Sequence, residues 1–105
     1  MPIFETGGYR VKRSAVPRVK KAIKEFVAYV KAHEPGTQLY LAWQEKRDPT
    51  KFLHFFIFKN EAARRQHGRS EAVKRFEAVY GPELVGGEVT FTEFAAVSNK
   101  IAIRL

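Results

Sequence analysis

Cysteine is absent from the 105 residues, and the chain has one methionine and one tryptophan. Without thiols the protein can form no disulfide, thiolate metal site or iron–sulfur cluster, and it cannot use a cysteine nucleophile. No apolar run approaches the roughly 20 residues that a membrane span requires, and the first ten residues lack the apolar core of a signal peptide. We therefore expect a soluble, cytoplasmic protein that makes no contact with a membrane.

Acidic residues are also scarce, with 11 Asp and Glu against 19 Lys and Arg, so the formal net charge is +8. Such an excess requires that an anionic partner be considered. Hydrophobic residues make up 45% of the chain, which is enough for one packed core and argues against disorder. We predict a single domain over residues 1–105, with an N-terminal arm at about 1–8 and a C-terminal extension at about 99–105.

Motifs for metal and nucleotide chemistry are missing as well. His33, His54 and His67 do not follow the spacings of helical metal sites, so we predict no metal site. The sequence contains no dinucleotide-binding glycine motif, P-loop or nucleophile elbow. Hydrolases and nucleotide-dependent enzymes are therefore disfavoured.

The first half of the chain indicates a short extended segment over 9–13 and then one long helix over about 15–33. Ile3-Phe4 either begin the same strand or form an arm. Ser14 is a plausible N-cap, Pro17 suits the first turn, and Pro35-Gly36 ends the helix. Apolar residues recur within one arc of the helical wheel, which predicts a core-facing side; these are Val16, Val19, Ile23, Phe26, Val27 and Val30.

Strand and helix patterns alternate along the rest of the chain. Residues 39–44 show the period of two that is typical of a strand, and a second strand follows at 51–59. Asn60 and Ser70 predict the starts of helices over 61–67 and 71–80. A further strand is predicted at 88–98, with an additional terminal strand in the last residues. The order β-α-β-β-α-β predicts an α+β, ferredoxin-like fold, a four-stranded antiparallel sheet with helices on one face.

The strand at 51–59 is apolar on both faces, and His54 interrupts one of them. Helices cover only one face of such a sheet, so the other face needs a second layer. The simplest layer is a second copy of the chain. We therefore predict a homodimer that forms a dimeric α+β barrel.

Three segments resemble the antibiotic biosynthesis monooxygenase (ABM) domain family. These are 34–37, Glu-Pro-Gly-Thr at the end of the first helix; 48–50, Asp-Pro-Thr in a turn; and 60–76, with Asn60, Ala62, His67, Ser70, Ala72 and Phe76. The resemblance implies the dimeric α+β barrel. It also implies one of several activities, since the family includes oxygenases of phenols and quinols that need no metal or flavin, heme-degrading enzymes and isomerases.

The heme-degrading relatives have a ligating histidine after the phenylalanine of the last helix, whereas residues 76–80 here contain none. Tyr80 is the remaining residue in this segment that could ligate iron. The resemblance therefore favours a cofactor-independent monooxygenase-like enzyme that acts on a small aromatic phenol or quinol with dioxygen. Heme degradation is a weaker alternative.

A cofactor-free oxygenation needs a base near the phenolic oxygen and aromatic walls around the ring. We predict His54 and His67 as catalytic residues, and Tyr40, Trp43, Arg64 and Tyr80 as substrate-binding residues. Each histidine also has a structural explanation. His67 ends a short helix, where it complements the helix dipole, and His54 fits a hydrogen-bonded interior histidine. Tyr40 and Trp43 lie on opposite faces of their strand, and the sequence does not decide which face lines a pocket.

RNA-recognition modules use the same order of elements. Their third-strand motif is matched at Lys51, Phe55 and Phe58, but both of its small residues are missing. Seven basic residues occur between Arg10 and Lys24 without an acid, and they could contact phosphates. Nucleic-acid binding is thus the disfavoured alternative, together with a non-catalytic ligand-binding role.

Overall fold

The computed structural model describes residues 1–98, 100 and 104. Four strands and three helices are present in this part of the chain: β1 (Ile3–Arg10), α1 (Val16–His33), β2 (Thr37–Gln44), β3 (Lys51–Phe58), α2 (Glu61–Gly68), α3 (Glu71–Tyr80) and β4 (Thr90–Phe94). Short 3₁₀ turns precede α1 and follow α3, at Arg13–Ala15 and Gly81–Glu83.

The strands form one antiparallel sheet in the order β2-β3-β1-β4, and the helices pack on one face of it. Buried side chains of α1 and α3 meet those of β3 in a single core; its members include Val19, Ile23, Phe26, Phe52, Ala72 and Phe76. The predicted α+β, ferredoxin-like fold is confirmed.

Local sequence signals explain most of the helix ends. The side chain of Asn60 accepts a hydrogen bond from the Ala63 amide (2.9 Å), and that of Ser70 accepts one from the Val73 amide (3.0 Å), as predicted. The predicted cap at Ser14 is wrong. Ser14 lies within the 3₁₀ turn, and Ala15 takes the cap position without a side-chain hydrogen bond.

The N-terminal arm predicted at about 1–8 is also wrong, because residues 3–10 form β1, an inner strand of the sheet. Two glycines and no regular alternation weaken the strand signal in this segment. Pairing with β3 on one side and β4 on the other holds the segment in the sheet.

The C-terminal part is shorter in regular structure than predicted. β4 ends at Phe94, whereas the pattern indicated a strand over 88–98. The predicted extension at 99–105, with its additional strand, lies outside the described residues except for Lys100 and Arg104.

The two faces of β3 have different surroundings. Phe52, His54, Phe56 and Phe58 point toward the helices and are buried. Leu53, Phe55 and Ile57 lie on the other side of the sheet, which we call the open face. Strand pairing adds more apolar side chains to this face, including Leu41, Trp43 and Phe94, each 40 to 49% exposed.

Within the described part of the chain, the helices are too short or too polar to cross a lipid bilayer.

Candidate active site

A cavity of about 340 Å³ lies between the helix-facing side of the sheet and helices α2 and α3. The face of the sheet that carries His54 therefore lines the cavity. The sequence alone left open which face would do so. Most of its walls are aromatic; they include Phe26, Tyr40, Phe56, Phe58, Phe76 and Tyr80. A flat aromatic ring fits such walls, and a few polar groups among them would orient it.

Gly7 of β1 helps to open this space. It pairs with His54 on one side and with Phe91 on the other, and it lines the cavity. A Cβ atom at this position would lie 3.2 Å from the Phe91 ring. The absence of a side chain in the middle of the sheet thus leaves room beside His54.

His54 is 2% exposed and has a tyrosine on each ring nitrogen. The Tyr9 hydroxyl lies 2.8 Å from Nε2, and the Tyr40 hydroxyl lies 2.7 Å from Nδ1. Burial lowers the pKa of His54 to about 4, so its imidazole is neutral at physiological pH. His54 is therefore a weak base that both donates and accepts a hydrogen bond.

The network of Tyr9, His54 and Tyr40 has one more donor proton than it has hydrogen bonds. Burial raises the pKa values of Tyr9 and Tyr40 far above their usual range, so both hydroxyls stay protonated. Two hydroxyl protons and one imidazole proton serve two hydrogen bonds, in which the neutral ring donates once and accepts once. The tyrosine that accepts from the ring keeps its own proton for a third partner.

His67, at the end of α2, is paired differently. Its Nδ1 lies 2.6 Å from Oε1 of Glu34, a carboxylate that is 7% exposed and also accepts a hydrogen bond from the Thr37 hydroxyl. A carboxylate can only accept, so neutral His67 carries its proton on Nδ1 and its lone pair on Nε2. None of the hydrogen bonds described for residues 1–98 uses Nε2. In this arrangement a buried carboxylate fixes the orientation of the His67 ring.

Close packing of α2 against the start of β2 brings this pair together. Gly36 follows Glu34 by two residues, and a Cβ atom there would lie 2.8 Å from the Cβ of Ala63 in α2. The Lys59 amide donates to the Gly36 carbonyl at 2.8 Å. A larger residue at 36 would push α2, and His67 with it, away from Glu34.

Tyr40 and Tyr80, for which the sequence predicts a role in substrate binding, both line the cavity. The Tyr40 ring lies between the two histidines, with its centroid 5.6 Å from that of His54 and 5.9 Å from that of His67. Tyr80 stacks on Tyr9 at 5.1 Å, and burial raises its pKa to about 12. Both tyrosines are thus neutral aromatic walls near the histidines.

Arg64 also lines the cavity, but carboxylates already surround its guanidinium. Nη2 donates to Glu61 at 2.7 Å and Nη1 to Glu93 at 2.9 Å, with Glu5 at 3.9 Å. Arg64 is therefore less available to an anionic substrate than the sequence suggested.

Trp43 does not join the other predicted site residues. It lies on the open face, 49% exposed, where it stacks on Phe55 at 6.5 Å. The alternation of β2 that places Tyr40 toward the helices places Trp43 away from them.

Sequence reasoning missed Tyr9, Glu34 and Gly7. Tyr9 was assigned to a short extended segment, and Glu34 was considered only as part of the segment that ends the first helix. The glycine pair inside an apolar segment was the one available signal, because glycine in a strand often marks close approach of another group. Nothing local in the sequence pairs Glu34 with His67.

A sequence model described as antibiotic biosynthesis monooxygenase matches residues 2–79 of the chain. The chain belongs to this family. The comparison of this chain with curated proteins gives no match.

Solved structures whose names carry the same designation share the fold. One from Bacteroides thetaiotaomicron superposes with a TM-score of 0.88 at 14% identity, over 98% of this chain and 96% of that one. One from Caulobacter crescentus superposes with a TM-score of 0.83 at 23% identity, over 92% of this chain and 91% of that one. One from Nitrosomonas europaea superposes with a TM-score of 0.84 at 14% identity, over 93% of this chain and 92% of that one. At these identities the likeness concerns the fold.

Proposed function

We propose that this family member is a monooxygenase that oxidises a small aromatic phenol or quinol with dioxygen and without a cofactor. The observation that carries the proposal is the His67–Glu34 pair beside an aromatic-walled cavity. Membership of the family supports a monooxygenase-like role, and the cavity chemistry supports the substrate class.

The first step is removal of the phenolic proton. The substrate hydroxyl gives its proton to Nε2 of His67, and Glu34 stabilises the resulting imidazolium through the hydrogen bond to Nδ1. His54 is unsuited to this step, since both of its nitrogens are hydrogen-bonded and its pKa is about 4.

The second requirement is a donor for the phenolate oxygen. The spare hydroxyl proton of the Tyr9–His54–Tyr40 network supplies one, and both tyrosines line the cavity. A donor held in place before the reaction stabilises the developing anion without reorganisation. His54 therefore acts in substrate binding by orienting the two hydroxyls.

The phenolate then reduces dioxygen by one electron, and the two radicals combine at a ring carbon that bears hydrogen. The peroxide anion that forms takes the proton back from His67. Loss of water from the resulting hydroperoxide leaves a carbonyl, so that a phenol and dioxygen become a quinone and water. All four electrons come from the substrate, and one oxygen atom is incorporated. A quinol with a free ring carbon reacts in the same way, so that a hydroquinone and dioxygen become a hydroxyquinone and water.

Oxygen uptake by the metal-stripped protein with a panel of phenols and hydroquinones tests the proposal. We expect uptake that depends on protein and persists in the presence of a chelator. A panel that neither binds nor consumes oxygen would contradict the proposal. Heme titration, followed by absorbance, tests the heme-degrading alternative, for which we expect no specific complex.

We also propose that the chain is a homodimer joined through the open face. Leu41, Trp43, Leu53 and Phe94 are exposed there, and a second sheet of the same kind would cover them. Sedimentation at low and high salt should show a dimer that resists salt, and Trp43→Glu should dissociate it. A monomer would contradict the barrel.

A monomer would also leave the apolar face free for nucleic acid. Binding of that kind would weaken steeply with salt, and material absorbing at 260 nm would copurify with the protein. The cytoplasmic location stays a prediction from the sequence.

A further inference from the structure

The mouth of the cavity has a charge opposite in sign to that of the whole chain. Arg64 and Glu77 are partly or fully exposed lining residues, and Phe91, 62% exposed, completes the rim. Arg64 lines the cavity with a guanidinium, and the carboxylates of Glu61, Glu93 and Glu5 lie within 4 Å of it. Glu77 adds a further carboxylate to the lining, so acidic groups outnumber the guanidinium here, although the formal net charge of the chain is +8.

Glu5 places one of these carboxylates inside the cavity wall. Its oxygens make no hydrogen bond among the described residues, and Arg64 lies 3.9 Å away as its ion-pair partner. Burial raises the pKa of Glu5, Arg64 opposes that rise, and Glu93 and Glu61 add to it. A group on the substrate that donates a hydrogen bond would satisfy Glu5, whereas a carboxylate would repel it.

Arg64 gives little compensation to an anion that enters. Its two terminal nitrogens already donate to Glu61 and Glu93 at 2.7 and 2.9 Å. A substrate carboxylate would have to displace one of these partners while approaching Glu5 and Glu77. Within a partly buried site such repulsion is screened less than at an open surface.

We infer that the cavity selects phenols or quinols whose substituents are uncharged or cationic, and that Glu5 and Glu77 exclude those that carry a carboxylate. This inference rests on the proposed function, because it concerns the substrate of the same cavity. It also means that the basic character of the chain does not indicate an acidic substrate.

The test is anaerobic equilibrium dialysis at pH 8 with three hydroquinones of similar size. The substituents are ethyl, 2-aminoethyl and carboxymethyl, which are neutral, cationic and anionic. We expect the carboxymethyl compound to bind at least about tenfold more weakly than the ethyl compound, and the aminoethyl compound to bind at least as tightly as the ethyl compound.

Glu77→Gln is the main variant, because Glu77 is exposed and its loss should not disturb folding. It should reduce the discrimination against the carboxymethyl compound several-fold, and Glu5→Gln should reduce it further. Glu71→Gln is the matched control, since Glu71 lies on the same helix but pairs with Lys74 and does not line the cavity.

Equal or tighter binding of the carboxymethyl compound would overturn the inference and leave the proposed function standing. Unchanged discrimination in both Glu5→Gln and Glu77→Gln would also overturn it. Failure of all three compounds to bind would overturn the inference together with the proposed function.

Discussion

Two histidines line the same cavity, but their partners give them different chemistry. His54 lies between two tyrosine hydroxyls that occupy both ring nitrogens, and burial holds it neutral. His67 has a carboxylate on one nitrogen, and none of the hydrogen bonds described for residues 1–98 uses the other. Type of residue and position in a cavity therefore do not define a base, because the hydrogen-bond partners decide which atom is free to accept a proton.

Removal of His67 should have the largest effect on activity. We expect His67→Ala to lower kcat/KM for phenol oxidation by about 10²–10⁴, which is typical for loss of a general base. Oxygen-uptake kinetics measure the loss, and His33→Ala, an exposed histidine at the end of α1, is the control. Full activity in His67→Ala would eliminate the assignment of the base.

The second prediction concerns His54 and acid stability. Its pKa is about 4 in the folded chain and near 6.5 when unfolded, so the unfolded chain binds more protons between these values. The free energy of unfolding should therefore fall by about 3 kcal/mol as the pH is lowered from about 6.5 to about 4. Urea unfolding at several pH values measures this slope.

His54→Gln is the control for that slope, because glutamine can bond both tyrosines but cannot be protonated in this range. The pH slopes of the two proteins should differ only between about pH 4 and about pH 7, because outside this range the contribution of His54 no longer changes with pH. Parallel pH profiles would show that His54 is not held neutral by the fold.

Glu34→Gln tests whether the carboxylate partner of His67 contributes to its chemistry. The amide keeps the shape of the side chain but does not stabilise an imidazolium as a carboxylate does. We expect kcat to fall by about tenfold to a hundredfold with little change in KM, and the pH profile of kcat to shift. A structural role alone would change stability without moving the pH profile.

Tyr9→Phe tests the hydrogen-bond partners of His54, and of these substitutions it should have the smallest effect on stability and activity. It removes one hydrogen bond to His54, and we expect the protein to lose about 1 kcal/mol in the free energy of unfolding. Ligand affinity should fall only modestly, because Tyr40 remains. Tyr29→Phe, whose ring packs on His33 away from the cavity, should leave affinity unchanged.

Most of the fold could be predicted from local patterns. Caps at Asn60 and Ser70, the apolar arc of α1 and the alternation of β2 and β3 depend on neighbours within a few residues. β1 was missed in part because its two glycines obscure the alternation, and its place in the sheet depends on two partner strands.

The site was predictable only in its individual residues. By itself the sequence determined that His54 would lie on an apolar strand, that His67 would end a short helix, and that Tyr40 and Trp43 would point to opposite faces. Only the tertiary structure decided that Glu34 orients His67 across 33 positions and that Tyr9 reaches His54 across 45. Periodicity reports which side of an element is buried, whereas the partner of a buried polar group depends on how distant elements pack.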